Sequence, residues 1–132
     1  MNYSFVKDTE MLTRFVFTPQ HIDKRDGSIK WQAFKPASDG TSVTRQDYVS
    51  PEKILQLGVE IAKARKHSTK LHSKAEILAQ NARKLKIDVT AAPTARDPNH
   101  ANIVKWPSDK NEVMMLCKEL LIASRHVLSY LP

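Results

Sequence analysis

The sequence predicts an α+β fold in which a small antiparallel sheet, formed by an N-terminal meander, is packed by two or three helices that include a long C-terminal helix. Three observations predict this class: β-rich segments separated by turn signals in the first fifty residues, helix-start motifs in the middle of the chain, and an apolar stripe at helical spacing towards its end. With 132 residues, the chain is long enough to bury a core as a single α+β domain over 1–132.

Five segments are predicted to be strands by their β-rich composition: 13–17, 28–34, 41–45, 87–93 and 102–106. The first three are expected to form the meander, because Asp26-Gly27 and Asp39-Gly40 lie between them and are typical of turns.

Three helices are predicted from their starts. The Ser-Pro-Glu segment at 50–52 combines a capping serine, a proline at the first helical position and an acid that the helix dipole favours. The S-x-x-E capping box at 73–76 predicts a second helix over about 74–85. Asp109 begins the long C-terminal helix, whose apolar stripe continues to Leu131.

Composition and motifs exclude several classes of protein. No apolar run approaches the roughly 20 residues that span a bilayer, and no leader pattern is present, so we expect a cytoplasmic protein without a membrane segment. The single Cys117 excludes an intramolecular disulfide and is expected to be a buried, inert thiol on the C-terminal helix. Nucleotide-binding glycine motifs and common hydrolase motifs have no match, and we expect no cofactor.

Metal binding is weakly supported. His67 and His72 are five residues apart, and no acid or cysteine nearby supplies further ligands. Zinc normally takes three or four protein ligands, so we expect no metal site.

The positive charge is concentrated in the middle of the chain. The formal net charge is +7, and residues 51–90 hold nine Lys and Arg against four Asp and Glu. Such an excess suits a surface that binds a polyanion, because each neutralised phosphate releases counterions. The predicted nucleic-acid-binding residues of this basic surface, at 63–86, are Lys63, Arg65, Lys66, Lys70, Lys74, Arg83 and Lys84. The alternative is an ordinary solvated surface.

The loop at 94–101 carries the first set of candidate catalytic residues, Arg96, Asp97 and His100. An acid, a base and an anion-binding group on one loop suit proton transfer or phosphate chemistry. The alternative is structural: Asp97 forms a turn, and His100 hydrogen-bonds to the backbone.

A second set of candidates lies near the predicted strands: Arg14, His21 and Arg45. If the meander forms, Arg14 and Arg45 are expected on one exposed face, where they form an anion site together with Arg96. Two or more converging arginines bind phosphate or carboxylate. The alternative is that these residues are solvated strand ends.

Four short pieces of sequence carry a resemblance: Arg-Phe at 14–15, Ala-Phe at 33–34, Ser-Val-x-Arg at 42–45, and Asp-Pro…His-Ala-x-Ile at 97–103. In this order the chain resembles small uncharacterised prokaryotic accessory proteins. The resemblance implies a compact accessory domain that acts beside another protein, and it implies no particular reaction. It singles out Arg45 and His100 as the first residues to mutate.

Three functional hypotheses follow. The leading one is a small intracellular accessory protein that offers the basic surface to nucleic acid and docks onto a larger protein partner; a homo-oligomer through the C-terminal helix is a further expectation. The first alternative is a small nuclease or nucleotide-modifying enzyme that uses His100 and arginines. The second is a protein-binding inhibitor or antitoxin whose positive surface meets an acidic partner.

Overall fold

The computed structural model describes residues 4–65 and 70–127, and it confirms the α+β fold. In these residues six strands form one antiparallel sheet in the order β4-β5-β2-β1-β3-β6. The strands are β1 (Met11–Val16), β2 (Thr41–Arg45), β3 (Ser73–Leu78), β4 (Asp88–Ala91), β5 (His100–Val104) and β6 (Arg125–Val127). The helices are α1 (Pro51–Ala64), α2 (Ala79–Lys84) and α3 (Lys110–Ala123). Within the described ranges, no helix combines the length and the hydrophobicity that crossing a membrane requires.

The two faces of the sheet are covered differently. Residues paired across an antiparallel ladder share a face, so the register assigns each side chain to one side. The face that carries Leu12 and Ile77 is buried beneath α2 and α3, in the main apolar core of the described residues. On the opposite face, Phe15 packs in a smaller apolar cluster with Ile54 of α1 and with Leu71.

Helix α1 begins as predicted. The Ser50 hydroxyl accepts a hydrogen bond from the Lys53 amide, and Pro51 occupies the first turn. Gly58 brings the helix close to the sheet, since a Cβ at this position would lie 2.8 Å from a ring carbon of Phe15. Phe15 is therefore held between α1 and the sheet.

The segment 28–34, predicted as the middle strand of the meander, is not a strand. After an isolated bridge between Ile22 and Ile29, it forms a 3₁₀ turn at Trp31–Phe34 that packs against α3. Ala33 and Phe34 are both buried, and two consecutive buried side chains do not fit the alternation of a half-exposed strand. β1 and β2 are therefore direct neighbours in the sheet.

The capping box at 73–76 does not begin a helix. These residues open β3, a strand paired with β1 on one side and β6 on the other, and the helix that follows begins only at Ala79. Ala75 and Ile77 fill the core in alternation, and the buried Glu76 carboxylate pairs with Arg125 rather than with a helix terminus. Pairing with two strands outweighs a local capping motif, which stabilises by only about 1 kcal/mol.

The C-terminal helix is shorter than predicted. Asp109 caps α3 by accepting the Glu112 amide hydrogen bond at 2.9 Å, as expected. The helix ends at Ala123, and the next residues form β6 against β3, while Leu131 lies outside the described residues. Cys117 is fully buried on α3, and burial raises the pKa of its thiol to about 11, which agrees with an inert cysteine. The strands predicted at 87–93 and 102–106 correspond to β4 and β5.

Candidate anion-binding site

A cleft opens beside the ends of β1 and β2. The two strands pair at Leu12–Arg45 and Thr13–Thr44. At the next residue of β1, the Arg14 guanidinium donates from Nε to the Ala33 carbonyl at 2.8 Å and from Nη1 to the Ser42 carbonyl at 2.9 Å. The Arg14 side chain therefore forms one wall of the cleft.

Polar and apolar groups from distant parts of the sequence line this cleft, whose volume is about 310 Å³. The polar side chains that the chemistry can use are Arg14, Lys35, Thr44, Arg65, Asp97 and His100. The larger apolar side chains in the wall are Phe15, Phe17 and Ile61. We call this site the Arg14 cleft.

Gly40 lines the cleft just before the start of β2. Its φ of +107° lies in a region that side-chain-bearing residues rarely adopt. A Cβ there would also clash with the carbonyl oxygen of Ile103 in the neighbouring β5. Glycine thus allows β2 and β5 to approach each other where they border the site.

The Arg14 charge has no acidic partner. Among the described residues, no carboxylate lies within ion-pair distance of its half-buried guanidinium, and both of its hydrogen bonds go to neutral carbonyls. Burial, with a further contribution from the charge of Arg65, lowers the pKa of Arg14 to about 10. Arg14 nevertheless stays cationic at neutral pH.

Asp97 and His100 are held on the cleft wall by a compact loop. The buried Asp97 carboxylate accepts hydrogen bonds from the Thr44 hydroxyl at 2.7 Å and the Asn99 amide at 3.0 Å. The Nδ1 atom of His100 lies 2.8 Å from the Ala92 carbonyl. Since a carbonyl can only accept, Nδ1 carries the proton, and Nε2 is the basic nitrogen of the neutral ring.

Arg65 closes the opposite side of the cleft. It follows the last residue of α1, and its guanidinium lies 4.9 Å from the centre of the Phe17 ring. This cation–π contact stabilises an otherwise exposed side chain.

The pKa of His21 is affected by the positive charges around the site. Burial lowers the pKa of its imidazole, and the cations Arg14, Arg65, Lys30 and Lys35 lower it further. His21 is therefore neutral at pH 7 and lies in the positive field of the Arg14 cleft.

The structure brings together some of the predicted catalytic candidates and separates others. Arg14, Asp97 and His100 line one cleft. Arg96 is exposed and does not line it. Arg45 is buried, with its side chain 2% exposed, and binds Glu10, so the expectation of one exposed face shared by Arg14 and Arg45 is wrong. Both lie on the same side of the sheet, but that side is the core.

The basic surface at 63–86 is partly neutralised. Lys74 pairs with Glu76 at 3.5 Å, and Arg83 binds Asp8 at 2.6 Å and Asp88 at 2.9 Å. The exposed lysines among the described residues of this segment are Lys63, Lys70, Lys84 and Lys86. Lys66 lies outside the described residues.

The described residues contain no group of three or more His, Cys, Asp or Glu that could hold a metal ion. His72 is half-buried, and burial and the Lys70 charge lower the pKa of its imidazole. His67 lies outside the described residues.

Sequence reasoning missed Lys35, Thr44 and the apolar wall formed by Phe15 and Phe17. Their contribution depends on the 3₁₀ turn at Trp31–Phe34 and on the β1–β2 pairing, and no local motif signals either. No protein-family model, no curated protein and no solved structure matches the chain.

Proposed function

We propose that the protein binds a small phosphate-bearing ligand, of the nucleotide class, in the Arg14 cleft. The observation that carries this proposal is the half-buried Arg14 guanidinium, which has no carboxylate partner among the described residues. Burying a charge is costly unless a counter-charge compensates it. An anionic ligand supplies that charge, and a guanidinium matches the geometry of phosphate oxygens.

The charge of the cleft fits a phosphate. Arg14, Lys35 and Arg65 oppose the single carboxylate of Asp97, which leaves a net charge of +2 when His100 is neutral. A phosphate monoester carries about −1.5 to −2 at neutral pH. A dianionic phosphate therefore balances the site, whereas a carboxylate ligand leaves one positive charge unmatched.

The size and the apolar wall favour a nucleotide over inorganic phosphate. A volume of about 310 Å³ falls at the lower end of the range for small-molecule sites, about 300–1,000 Å³. Phe17 and Ile61, both partly exposed, offer apolar surface on which a base can pack. Inorganic phosphate leaves that surface unused.

Calorimetric titration with inorganic phosphate and with a nucleoside monophosphate tests the proposal. We expect the nucleotide to bind more tightly than phosphate. The substitution Lys35→Glu should weaken nucleotide binding at least about tenfold, because it turns an attraction in the cleft into a repulsion.

Lys118→Glu is the matched control, since Lys118 is exposed on α3, outside the cleft, and the change in net charge is the same. No binding of either ligand to the unmodified chain would refute the proposal. Equal losses for the two variants would assign the affinity to net charge rather than to the cleft.

A second candidate function, catalysis on the bound nucleotide, is favoured by His100. The Ala92 carbonyl fixes the ring so that Nε2 is the basic nitrogen, and the side chain lines the same wall as the proposed phosphate site. A histidine in this state can act as a general acid or base in nuclease or nucleotide-modifying chemistry. In phosphodiesterase and phosphatase assays, His100→Gln should abolish turnover and leave nucleotide affinity within about threefold. Turnover that persists in this variant removes His100 from the reaction.

Binding to a protein partner, or to a second copy of the chain through the C-terminal helix, remains part of the proposal. The observation that favours it is the exposure of Met115 and Ile122 on α3, 63% and 77% exposed. Light scattering after gel filtration should show a concentration-dependent mass that Ile122→Glu abolishes. A monomer at all concentrations would exclude the homo-oligomer.

A further inference from the structure

A second cavity lies between the N-terminal half of α1 and the β3–β6 edge of the sheet, and its volume is about 410 Å³. Phe15 pairs with Lys74, and Glu76 pairs with Arg125, so these side chains share the α1 face of the sheet. Lys74, Glu76 and Arg125 all line the cavity, which we call the Arg125 pocket. It shares no lining residue with the Arg14 cleft.

One carboxylate holds two cations in the wall of the Arg125 pocket. Arg125 donates to Oε1 of Glu76 from Nε at 2.9 Å and also from Nη2, and Nζ of Lys74 lies 3.5 Å from Oε2. Burial raises the pKa of Glu76, but hydrogen bonds from Arg125 and Gln46 and the charge of Lys74 lower it below its usual 4.5. Glu76 is therefore ionised at neutral pH. Two cations against one carboxylate leave the lining with a net charge of +1.

Arg125 keeps hydrogen-bond donors for a ligand. Its side chain is 75% exposed, whereas that of Glu76 is only 5% exposed. Both hydrogen bonds to Glu76 leave Nη1 unused, and this atom has no acceptor among the residues that the structure describes. The remaining edge of the guanidinium, formed by Nη1 and Nη2, has the geometry that binds a carboxylate through two N–H groups.

The rest of the pocket wall is mostly aliphatic, and its apolar side chains are Val49, Pro51, Ile54 and Leu55. Leu55 is 40% exposed, so its side chain is accessible to a ligand. Within the described part of the chain, no aromatic ring lines this pocket, and a planar base therefore has no ring on which to stack. A hydrocarbon chain, by contrast, gains from burial against an aliphatic wall.

We propose that the Arg125 pocket binds a small aliphatic monocarboxylate, with the carboxylate on Arg125 and Lys74 and the hydrocarbon chain against Leu55. One negative charge balances the lining, whereas a phosphate monoester, at about −1.5 to −2, exceeds it. A volume of about 410 Å³ lies within the range of small-molecule sites, about 300–1,000 Å³, and is larger than a carboxylate group alone requires. This site is separate from the nucleotide site proposed above.

NMR titration of the isotope-labelled chain with acetate, butanoate and hexanoate, and with 1-hexanol as the uncharged probe, tests the inference. Affinity should rise with chain length, by up to about fourfold for each methylene that becomes fully buried. Hexanol should bind at least about tenfold more weakly than hexanoate, because it forms no charge-assisted hydrogen bond. Equal affinities for acetate and hexanoate, or for hexanoate and hexanol, would overturn the inference.

Leu55→Glu should weaken hexanoate binding at least about tenfold, because it places a negative charge beside the carboxylate and removes part of the apolar wall. Val59→Glu is the matched control. Val59 is 37% exposed on the same helix, the change in net charge is the same, and the side chain does not line the pocket. Equal losses for the two variants would assign the affinity to net charge and contradict the inference.

Lys74→Met separates the charge of the pocket from its fold. The substitution brings the net charge of the lining to zero, so hexanoate affinity should fall at least about fivefold while hexanol affinity stays unchanged. Unchanged hexanol binding also shows that the pocket is still formed. Hexanoate affinity that does not change in this variant would overturn the inference. Nucleotide binding in the Arg14 cleft is measured separately, so failure here leaves the proposed function intact.

Discussion

Arg45 and Arg14 lie in adjacent strands on the same face of the sheet, but their charges are treated differently. Arg45 donates to both carboxylate oxygens of Glu10, at 2.7 and 2.9 Å, and to the Phe5 carbonyl at 3.1 Å. Within the described part of the chain, Arg14 donates only to the carbonyls of Ala33 and Ser42. A guanidinium that is paired with a carboxylate stabilises the fold, whereas a guanidinium without a carboxylate partner has a charge available to a ligand.

The largest effect, on the free energy of unfolding, is expected from breaking the ion pair between Glu10 and Arg45. Glu10→Gln leaves the buried Arg45 charge without a carboxylate, and removal of one partner of a buried ion pair costs about 3–5 kcal/mol. Urea unfolding should show a loss of this size in the free energy of unfolding. Glu60→Gln is the control, because Glu60 is exposed on α1 and should change the stability by less than about 0.5 kcal/mol. Equal losses for the two variants would contradict the role given to Glu10.

The same pair predicts a dependence of stability on acid. Burial disfavours the charged form, but the hydrogen bonds from Arg45 and the Lys7 amide outweigh it and lower the pKa of Glu10 below its usual 4.5. The contribution of Glu10 is therefore fully present above about pH 4.5 and is lost as the pH falls through the lowered pKa. In urea titrations, the stability difference between the unmodified chain and Glu10→Gln should shrink below this pH. A constant difference down to pH 2 would show that the Glu10 charge contributes nothing.

Substitution of Arg14 should affect nucleotide affinity more than stability, whereas substitution of Glu10 should mainly affect stability. Arg14→Gln removes a charge-assisted contact to the proposed phosphate, worth ~1.5–3 kcal/mol, so nucleotide affinity should fall about 10- to 100-fold. The free energy of unfolding should fall by less than for Glu10→Gln, because no buried carboxylate is left unpaired. Arg14→Lys keeps the charge and should retain part of the affinity. A large loss of stability with unchanged affinity would make Arg14 a structural group like Arg45.

The fold could be predicted where local signals agree with tertiary pairing. Ser50 and Asp109 cap helices as the sequence indicates, because those helix termini depend on local hydrogen bonds. The capping box at 73–76 wrongly predicted a helix start. Pairing with β1 and β6 stabilises these residues as a strand more than a cap would stabilise them as a helix. The strand predicted at 28–34 failed because its two consecutive buried residues face the core rather than alternating.

The candidate site could be predicted only in part. Arg14, Asp97 and His100 were identified from their chemistry, since few other groups suit anion binding or proton transfer. Arg45 has the same chemistry, and no feature of the sequence indicated that Glu10, 35 residues away, binds it. Lys35 reaches the cleft because 28–34 is not a strand, so its role depended on an element that the sequence did not reveal.

The smallest effect on nucleotide affinity is expected at Arg65, whose charge is exposed and forms no ion pair with the described residues. Its contact with the Phe17 ring at 4.9 Å is of the kind that contributes about 0.5–1 kcal/mol, and its charge faces water as well as the cleft. Arg65→Gln should therefore weaken nucleotide binding by about 2- to 5-fold in calorimetry, well below the loss for Arg14→Gln. Arg96→Gln is the control, since Arg96 is also exposed but does not line the cleft. If the Arg65 variant loses as much affinity as the Arg14 variant, the exposure of a charged side chain does not determine its contribution to nucleotide binding. The bound anion would then lie nearer the end of α1 than the sheet.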